Sequence, residues 1–361
     1  MIDLLSDPVW YALAFLTSFG LALYVTPLTI RVAKTFKIQD TPDGRLKKHT
    51  EPTPYLGGLA VAAAFVIAFG LLSTTPTTRD QAQAMGILSG GFMVLLLGLY
   101  DDLSNLRPSV KFLGQLLAAI VLWKAGVRVE ISDLSTETRM LLTILWVTGI
   151  TNAFNIIDVM DGLAGGTALI AAVFLFVISA LVGGHRVVPF MAITLAGALM
   201  GYLRYNYHPA RIFLGDTGSL FIGFMLGALS MVVSYSDPNR LAIFTPVVLL
   251  AIPIFDTVFV AIHRSRKGIP FFKGSPDHFA LRLRHRGLDV PTVVRRTYCV
   301  AVCLGVVSLA LVFGHRDRAP WMLVGFAVAV LAAFFLLSRV PAPDGRSGSG
   351  SEPSPADEGD G

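Results

Sequence analysis

The most informative scarcity in this sequence is that of charged residues. Asp, Glu, Lys and Arg make up 15% of the 361 positions, while 54% are hydrophobic. A soluble domain usually carries about a quarter charged residues. The apolar residues form runs of about the 20 residues that a transmembrane helix needs, separated by short polar stretches. The sequence therefore predicts one integral membrane domain rather than two soluble domains.

Other features are missing as well. Only Cys299 and Cys303 occur, both in one apolar run, which excludes a disulfide framework and a cysteine zinc site. The N-terminus lacks the basic segment and cleavage site of a signal peptide, so the first span is predicted to stay in the protein. The net charge of +5 comes without a basic stripe interleaved with aromatic residues, which argues against a nucleic-acid partner. No Walker A loop is present.

Apolar segments that alternate like strands are absent, so the predicted fold is all-α and polytopic, with about eleven transmembrane helices. The helices are predicted within residues 1–340, and the tail 341–361, rich in Gly, Ser, Pro and acids, is predicted to be disordered. The predicted spans are roughly 8–31, 55–73, 85–100, 110–127, 139–157, 163–182, 187–204, 212–234, 240–262, 296–313 and 320–338.

The distribution of basic residues predicts the orientation in the membrane. Most of the 29 Lys and Arg residues fall in segments that follow odd-numbered spans, and such residues accumulate in cytoplasmic loops. We therefore expect the N-terminus outside and the C-terminus in the cytoplasm. The acidic motifs described next fall on the same predicted cytoplasmic side.

The strongest functional signal is a set of Asp residues at the ends of spans. Inserting an Asp at the centre of a membrane helix costs ~2.5–3.5 kcal/mol, so acids in or beside spans usually have a function. Asp101 and Asp102 follow the third span, Asp158 and Asp161 follow the fifth, and Asp216 opens the eighth. A single Asp is often only a helix cap, but two adjacent carboxylates repel each other. Mg²⁺ relieves such repulsion and usually takes one or two carboxylates plus substrate phosphates. The pattern predicts a magnesium site, with Mn²⁺ as the alternative metal.

Two polar motifs and a basic loop accompany the acids. In TNAFNIIDVMDGLAGG the polar side chains recur every three residues and so lie close together at a helix end. The segment IFLGDTGS opens a helix, where unpaired N–H groups and the helix dipole attract a phosphate. The basic loop from His263 to Asp289 indicates either an anchor for anionic lipid headgroups or a clamp on a diphosphate.

Taken in order, these motifs resemble the polyprenyl-phosphate N-acetylhexosamine-1-phosphate transferases, the MraY/WecA superfamily or glycosyltransferase family 4. The resemblance covers about residues 10–338, through PTPYLGG, GLYDDLSNLRPSVKFLGQ, TNAFNIIDVMDGLAGG, YNYHPARIFLGDTGSLFIG, IPIFDTVFV and SPDHFALRLRHRG. It implies a bacterial inner-membrane enzyme that, with Mg²⁺, converts a UDP-N-acetylhexosamine and a polyprenyl phosphate into polyprenyl-diphospho-sugar and UMP. This is the first membrane step of cell-envelope polysaccharide synthesis. A homodimer is left open.

The resemblance also implies roles for individual residues, with one of the first two acids as the proposed base. The implied catalytic residues are Asp101, Asp102, Asp158 and Asp161, and the implied metal ligands are Asp216 and Asn155. The implied substrate-binding residues are Lys48, His49, Lys111, Asn152, Asn206, Phe213, Asp256, His278 and Arg282.

The sequence departs from the family pattern at two places. Val159 stands where many members have Gly, and the basic loop reads DHFALRLRH instead of the triple-His loop of muramyl-pentapeptide transferases. The second difference argues against peptidoglycan precursor synthesis and so favours the WecA-like branch, but it leaves the donor sugar open, because the loop also differs from the His-Ile-His-His loop of the enterobacterial enzyme. The expected transferred group is N-acetylglucosamine-1-phosphate. Two alternatives remain: a phospho-MurNAc-pentapeptide transferase, and an ion-coupled transporter, because intramembrane acids also mark ion pathways. A CDP-alcohol phosphotransferase is excluded, because DGLAGG lacks the Arg of that family's motif.

Overall fold

The computed structural model describes residues 8–40, 52–72, 78–131, 133–184, 186–233, 235, 239–268 and 276–342. In these ranges the chain is helical almost throughout, apart from strands β1 (Gln39–Asp40) and β2 (Thr53–Pro54), which pair antiparallel. The helices are α1 (Pro8–Thr35), α2 (Gly57–Leu72), α3 (Thr78–Ser104), α4 (Pro108–Lys124), α5 (Thr136–Ile157), α6 (Leu163–Val182), α7 (Val187–Asn206), α8 (Gly215–Val232), α9 (Thr245–Leu249), α10 (Ala251–Arg266), α11 (Phe279–His285), α12 (Val290–Phe313) and α13 (Ala319–Ser338).

The all-α, multi-pass class predicted from composition is confirmed. In the described part of the chain, eight helices are long and apolar enough to cross a bilayer, or up to nine if the bent pair α9–α10 is one span. The α2 helix is apolar but has only 16 residues. Each predicted span corresponds to one helix or to the bent pair. The predicted tail lies, apart from its first two residues, outside the described residues, so the domain boundary stays a prediction.

Helix α8 lies at the centre of the bundle and brings the acidic motifs together. It packs against α3, α5 and α2, and 83% of its apolar window is buried, whereas none of the α13 window is. Small residues allow the close approach: a Cβ on Gly98 of α3 would overlap the Asp216 carbonyl, and a Cβ on Gly58 of α2 would overlap Gly218. The last turn of α3, which carries Asp101 and Asp102, therefore reaches the first turn of α8.

The segments beside this junction are joined by backbone hydrogen bonds. Phe213 N–H donates to the Pro54 carbonyl at 2.7 Å, and Gly58 N–H donates to the Leu214 carbonyl at 2.9 Å. The segment before α8 is thereby fixed to β2 and to the start of α2. On another side of the bundle, α10 packs against α5, the helix that carries Asn155.

Candidate active site

A lysine joins two of the predicted acids where α3, α4 and α8 meet. Lys111 Nζ lies 2.5 Å from Asp101 Oδ2 and makes a short contact with Asp216 Oδ2. The other oxygen of Asp101 accepts a hydrogen bond from Leu106 N–H at 2.6 Å. The structure thus brings together three residues that the sequence analysis assigned to catalysis, metal binding and substrate binding.

Asp102, although adjacent to Asp101, makes a different set of contacts. Its Oδ1 accepts from Asp216 N–H at 2.8 Å, and its Oδ2 accepts from Thr217 N–H at 3.0 Å and Thr217 Oγ1 at 2.6 Å. The two backbone N–H groups belong to the first turn of α8, where N–H groups have no intrahelical partners and the helix dipole favours an anion. Gly215, with φ of 70°, gives Asp102 room, because a Cβ at that position would lie 2.6 Å from Asp102 Oδ2. Asp102 therefore caps α8 and holds the backbone of Asp216.

Asn155 approaches Asp216 from α5. Its Nδ2 donates to Asp216 Oδ1 at 2.8 Å and to Ser219 Oγ at 2.9 Å. One turn earlier, Asn152 Nδ2 donates to Gln115 Oε1 at 2.5 Å and to the Thr148 carbonyl at 2.7 Å. The predicted metal ligands Asp216 and Asn155 are therefore in contact, while Asn152 joins α5 to α4. Substrate binding by Asn152 stays a prediction.

Asp158 lies just beyond the C-terminal end of α5, where it is partly exposed. Desolvation of its carboxyl group, followed by the negative charges of Asp216, Asp102 and Asp161, raises the pKa of Asp158 to about 8. Like charges and desolvation both disfavour the ionised form of a carboxyl. We refer to Asp101, Asp102, Lys111, Asn155, Asp158 and Asp216 as the acidic cluster. It holds more negative charge than its single lysine neutralises.

The donor atoms of the acidic cluster fit a divalent cation. Carboxylate oxygens are the ligands Mg²⁺ prefers, usually one or two of them completed by substrate phosphates and water. Lys111 places its ammonium between two such carboxylates, so the space between Asp101 and Asp216 is one that favours positive charge. Within the described ranges, no three His, Cys, Asp or Glu residues are grouped closely enough to hold an ion by themselves. Magnesium binding stays a prediction.

Asp161 and Asn206 make hydrogen bonds that hold the segment between α7 and α8 in place. Asp161 Oδ2 lies 2.7 Å from His208 Nδ1 and accepts from Ala210 N–H at 3.1 Å. The buried Asn206 accepts from Gly162 N–H at 3.0 Å and donates to the Ile212 carbonyl at 2.9 Å. Sequence analysis missed His208, whose only signal was its position two residues after Asn206. Catalysis by Asp161 and substrate binding by Asn206 stay predictions.

Phe213 is partly exposed beside Tyr55, with 6.5 Å between the ring centroids. It lies at the junction of β2, α2 and the segment before α8. Tyr55 was not singled out from the sequence, although it stands in the motif PTPYLGG. The predicted contact of Phe213 with substrate stays a prediction, and Lys48 and His49 lie outside the described residues.

The remaining predicted substrate-binding residues are buried in a second group of charges. Asp256 Oδ2 lies 2.8 Å from His278 Nδ1, and its Oδ1 accepts from Phe279 N–H at 3.0 Å. Arg282 Nη2 donates to Asp277 Oδ1 at 2.9 Å, and Lys267 Nζ lies 2.6 Å from the same oxygen. We call Asp256, Lys267, Asp277, His278 and Arg282 the basic latch. Contacts of Asp256, His278 and Arg282 with substrate stay predictions.

Comparison with known proteins gives the family. The model of Glycosyl transferase family 4 matches residues 84–234, which run from α3 to just beyond α8 and include every member of the acidic cluster. The "Probable undecaprenyl-phosphate N-acetylglucosaminyl 1-phosphate transferase" of Bacillus subtilis (strain 168) is 34% identical over 329 residues, 89% of each chain. The chain belongs to glycosyltransferase family 4.

Other relatives place this family 4 protein within its family. The "Decaprenyl-phosphate N-acetylglucosaminephosphotransferase" of Mycobacterium tuberculosis (strain ATCC 25618 / H37Rv) is 33% identical over 81% of this chain and 80% of its own. The "Phospho-N-acetylmuramoyl-pentapeptide-transferase" of Desulforamulus reducens is less similar, at 29% identity over 87% of this chain and 98% of its own. The resemblance inferred from the motifs is confirmed, including the nearer WecA-like branch. The protein is a multi-pass bacterial membrane protein.

Proposed function

We propose that the protein transfers N-acetylglucosamine-1-phosphate from UDP-N-acetylglucosamine to a polyprenyl phosphate, giving polyprenyl-diphospho-N-acetylglucosamine and UMP. The names of the relatives at 34% and 33% identity support this substrate pair over UDP-MurNAc-pentapeptide. The observation that carries the proposal is the convergence of Asp101, Lys111 and Asp216 at one junction of helix ends. There an acid, a cation and a carboxylate that could hold a metal ion lie together, an arrangement suited to phosphoryl-group transfer.

The acidic residues lie at helix ends, which supports an enzyme over a transporter. Asp101 and Asp102 lie in the last turn of α3, Asp158 follows α5, and Asp216 is in the first turn of α8. An ion pathway would place acids near the bilayer midplane. The bias of Lys and Arg supports a cytoplasmic location for these ends, which is the side on which nucleotide sugars occur.

Asp101 is the better candidate for the base. Both oxygens of Asp102 already accept hydrogen bonds from the first turn of α8, whereas Asp101 Oδ2 faces the Lys111 ammonium. Lys111 carries three donors on a compact charge, and it would bind the phosphate of the lipid and hold it beside Asp101. Asp101 would then accept the proton of that phosphate.

The deprotonated lipid phosphate attacks the β-phosphorus of the nucleotide sugar. A new bond forms between the lipid phosphate oxygen and this phosphorus, and the bond to the oxygen bridging the α- and β-phosphorus breaks. UMP leaves with the bridging oxygen, and the proton released by the lipid phosphate remains on Asp101 until it passes to solvent. Asp158 is a second group suited to proton transfer, since its pKa of about 8 lies near working pH.

Mg²⁺ is the proposed cofactor, with Mn²⁺ as the alternative, and Asp216 and Asn155 would hold it. Asn155 would bind the cation through its Oδ1, while its Nδ2 donates to Asp216. Such an ion, when bound, neutralises the charge of the diphosphate and of the departing UMP. The protein's own contribution is to hold Asp216 at the N-terminus of α8 through the cap that Asp102 forms.

The direct test is UMP release by the detergent-purified protein from UDP-N-acetylglucosamine and undecaprenyl phosphate. UDP-N-acetylgalactosamine and UDP-MurNAc-pentapeptide should be assayed beside it, and we expect N-acetylglucosamine to be the preferred donor. Release of UMP only from the pentapeptide donor would establish the muramyl branch instead. Uptake of a solute into proteoliposomes without UMP release would establish a transporter.

A further inference from the structure

Two amide side chains, Gln115 of α4 and Asn152 of α5, form a hydrogen-bonded pair between their helices. Asn152 Nδ2 donates to Gln115 Oε1 at 2.5 Å, and Gln115 Nε2 donates back to Asn152 Oδ1 at 3.4 Å. Asn152 Nδ2 also donates to the Thr148 carbonyl at 2.7 Å. Every amide atom of the two side chains therefore has a partner, as is usual for buried polar groups, and Gln115 is only 2% exposed. We call Gln115 and Asn152 the amide pair.

The amide pair lies one helical turn from the acidic cluster. On α4, Gln115 comes four residues after Lys111, and on α5, Asn152 comes three residues before Asn155. Residues three or four apart lie on the same face of a helix. Lys111 and Asn155 both contact Asp216 of α8. The same faces of α4 and α5 that meet at Asp216 are therefore joined to each other by the amide pair.

The two helices are held against α8 in different ways. Helix α5 packs directly on α8, and its Trp146 Nε1 donates to the Gly227 carbonyl and to Ser230 Oγ, both at 3.2 Å. Helix α4 packs against α3 and α5, and it contacts Asp216 through the Lys111 side chain. Loss of the amide pair should therefore displace α4 and its lysine more than it displaces α5.

We propose that Gln115 is a positioning residue, which through the amide pair holds the ammonium of Lys111 beside Asp216. This inference rests on the proposed function, in which that ammonium binds the phosphate of the lipid. A lysine carries a point charge on a flexible stem, so its helix must be placed accurately for the charge to meet the phosphate. The amide pair thereby sets the affinity for the lipid more than the affinity for the nucleotide sugar.

The test is Gln115→Met in the full-length protein, with the two substrates titrated separately. Methionine has a similar length and volume but cannot form the hydrogen bonds of the amide pair. We expect the KM for polyprenyl phosphate to rise about fivefold, while kcat and the KM for UDP-N-acetylglucosamine change by less than about twofold. The rise should be smaller than for Lys111→Met, because the ammonium is displaced rather than removed.

Combining these two changes tests whether Gln115 acts through Lys111. In a protein that already carries Lys111→Met, adding Gln115→Met should leave the KM for polyprenyl phosphate unchanged, since no ammonium remains to be positioned. The effects of the two substitutions on this KM are then not additive, as expected for residues that act on the same contact.

Gln83→Met is the matched control. Gln83 is also a buried glutamine, 5% exposed, and its Nε2 donates to the Gly126 carbonyl at 3.3 Å, just beyond the other end of α4. Its loss removes an amide that is about equally buried and should lower the melting temperature, as Gln115→Met does. Both KM values and kcat should stay at the wild-type level.

Exchanging the two amides provides a rescue. Gln115→Asn shortens one partner by a methylene group, so the amide pair is broken and the KM for the lipid should rise. Adding Asn152→Gln restores the combined length, and this KM should return toward the wild-type value. These variants keep an amide at position 115 and take the place of Gln115→Met if that protein does not accumulate.

Several results would overturn the proposal. One is a wild-type KM for polyprenyl phosphate in Gln115→Met with only the melting temperature lowered, which would mean a purely structural role. Others are an equal rise in the KM of both substrates, a further rise of the lipid KM in the Lys111→Met background, and an exchange variant that is not rescued. A failure of the proposed function looks different, because the wild-type protein itself would then release no UMP from any donor.

Discussion

The acidic cluster gathers charges at helix ends and the basic latch gathers them in and around α10 and α11, and the two groups balance those charges differently. In the acidic cluster the carboxylates of Asp101 and Asp216 share Lys111, and the pKa of Asp158 is raised by desolvation and then by the negative charges of nearby acids. In the basic latch the two buried carboxylates are matched by one histidine, one lysine and one arginine. Charge that is left unbalanced is available to a cation or a substrate, whereas removing one partner of a balanced, buried pair destabilises the fold.

The largest effect that would separate the two regions is expected from Asp101→Asn. This change keeps the shape of the side chain and its hydrogen bond from Leu106 but removes the proposed base, so kcat should fall about 10³-fold. The melting temperature should stay near that of the wild-type protein. Steady-state UMP release and thermal unfolding in detergent measure the two quantities, and near-normal turnover would remove Asp101 from the mechanism.

The neighbouring change Asp102→Asn sharpens the contrast inside the acidic cluster. An amide can accept through only one atom, so it loses part of the cap on α8, and loss of a cap typically costs about 1 kcal/mol. We expect a lower melting temperature and a fall in kcat of about 10–100-fold, smaller than for Asp101→Asn, because Asp216 is displaced rather than a reacting group removed. Equal loss of activity at unchanged stability in both variants would contradict the division of roles.

Lys111→Met tests whether the shared cation contacts the lipid phosphate. The substitution keeps the length and apolar stem of the side chain but removes its charge. We expect the KM for polyprenyl phosphate to rise at least about tenfold, equivalent to ~1.4 kcal/mol, with a smaller effect on the KM for the nucleotide sugar. The opposite ranking of the two KM values would place Lys111 on the donor.

Asp256→Asn examines the basic latch by the same logic as Asp102→Asn. The change weakens two charge-assisted hydrogen bonds to buried partners, each worth about 1.5–3 kcal/mol, so the protein should melt at a lower temperature. Activity per folded molecule should fall much less than for Asp101→Asn, because the latch only positions α11. A loss of turnover as large as that of Asp101→Asn, at unchanged stability, would instead place Asp256 among the reacting groups.

The smallest expected effect concerns pH. The pKa of Asp158 is about 8 in the folded protein and lies well below that when the chain is unfolded. Between these two pKa values the folded state keeps a proton on Asp158 that the unfolded state has lost. The free energy of unfolding therefore falls as pH rises toward and through 8. Without divalent cations, the melting temperature should be lower at pH 8.5 than at pH 6. Asp158→Asn should reduce this difference, and a variant with the wild-type pH dependence would contradict the assignment.

The sequence predicted where the long helices and the acidic residues lie, but not how the roles of those residues differ. Runs of apolar residues located the long helices, because a bilayer demands both length and hydrophobicity. They did not locate α11, which lies within the basic loop. The motifs located the acids, and the resemblance identified the family. The roles of adjacent residues were not predictable: Asp101 and Asp102 share chemistry and position, and only the approach of α8 distinguishes the carboxylate that caps it from the one that faces Lys111.

The same limit applies to Arg282, which the sequence placed in a basic loop and grouped with substrate-binding residues. A linear pattern records charge and spacing but not which side of α11 is covered, and the partners of Arg282 lie as far away as Val340. Composition and local pattern by themselves determined that this is a polytopic helical membrane protein of a phosphosugar transferase family. Tertiary structure alone decided which charges remain unbalanced at the site and which are buried against each other, because that depends on long-range packing of helix ends.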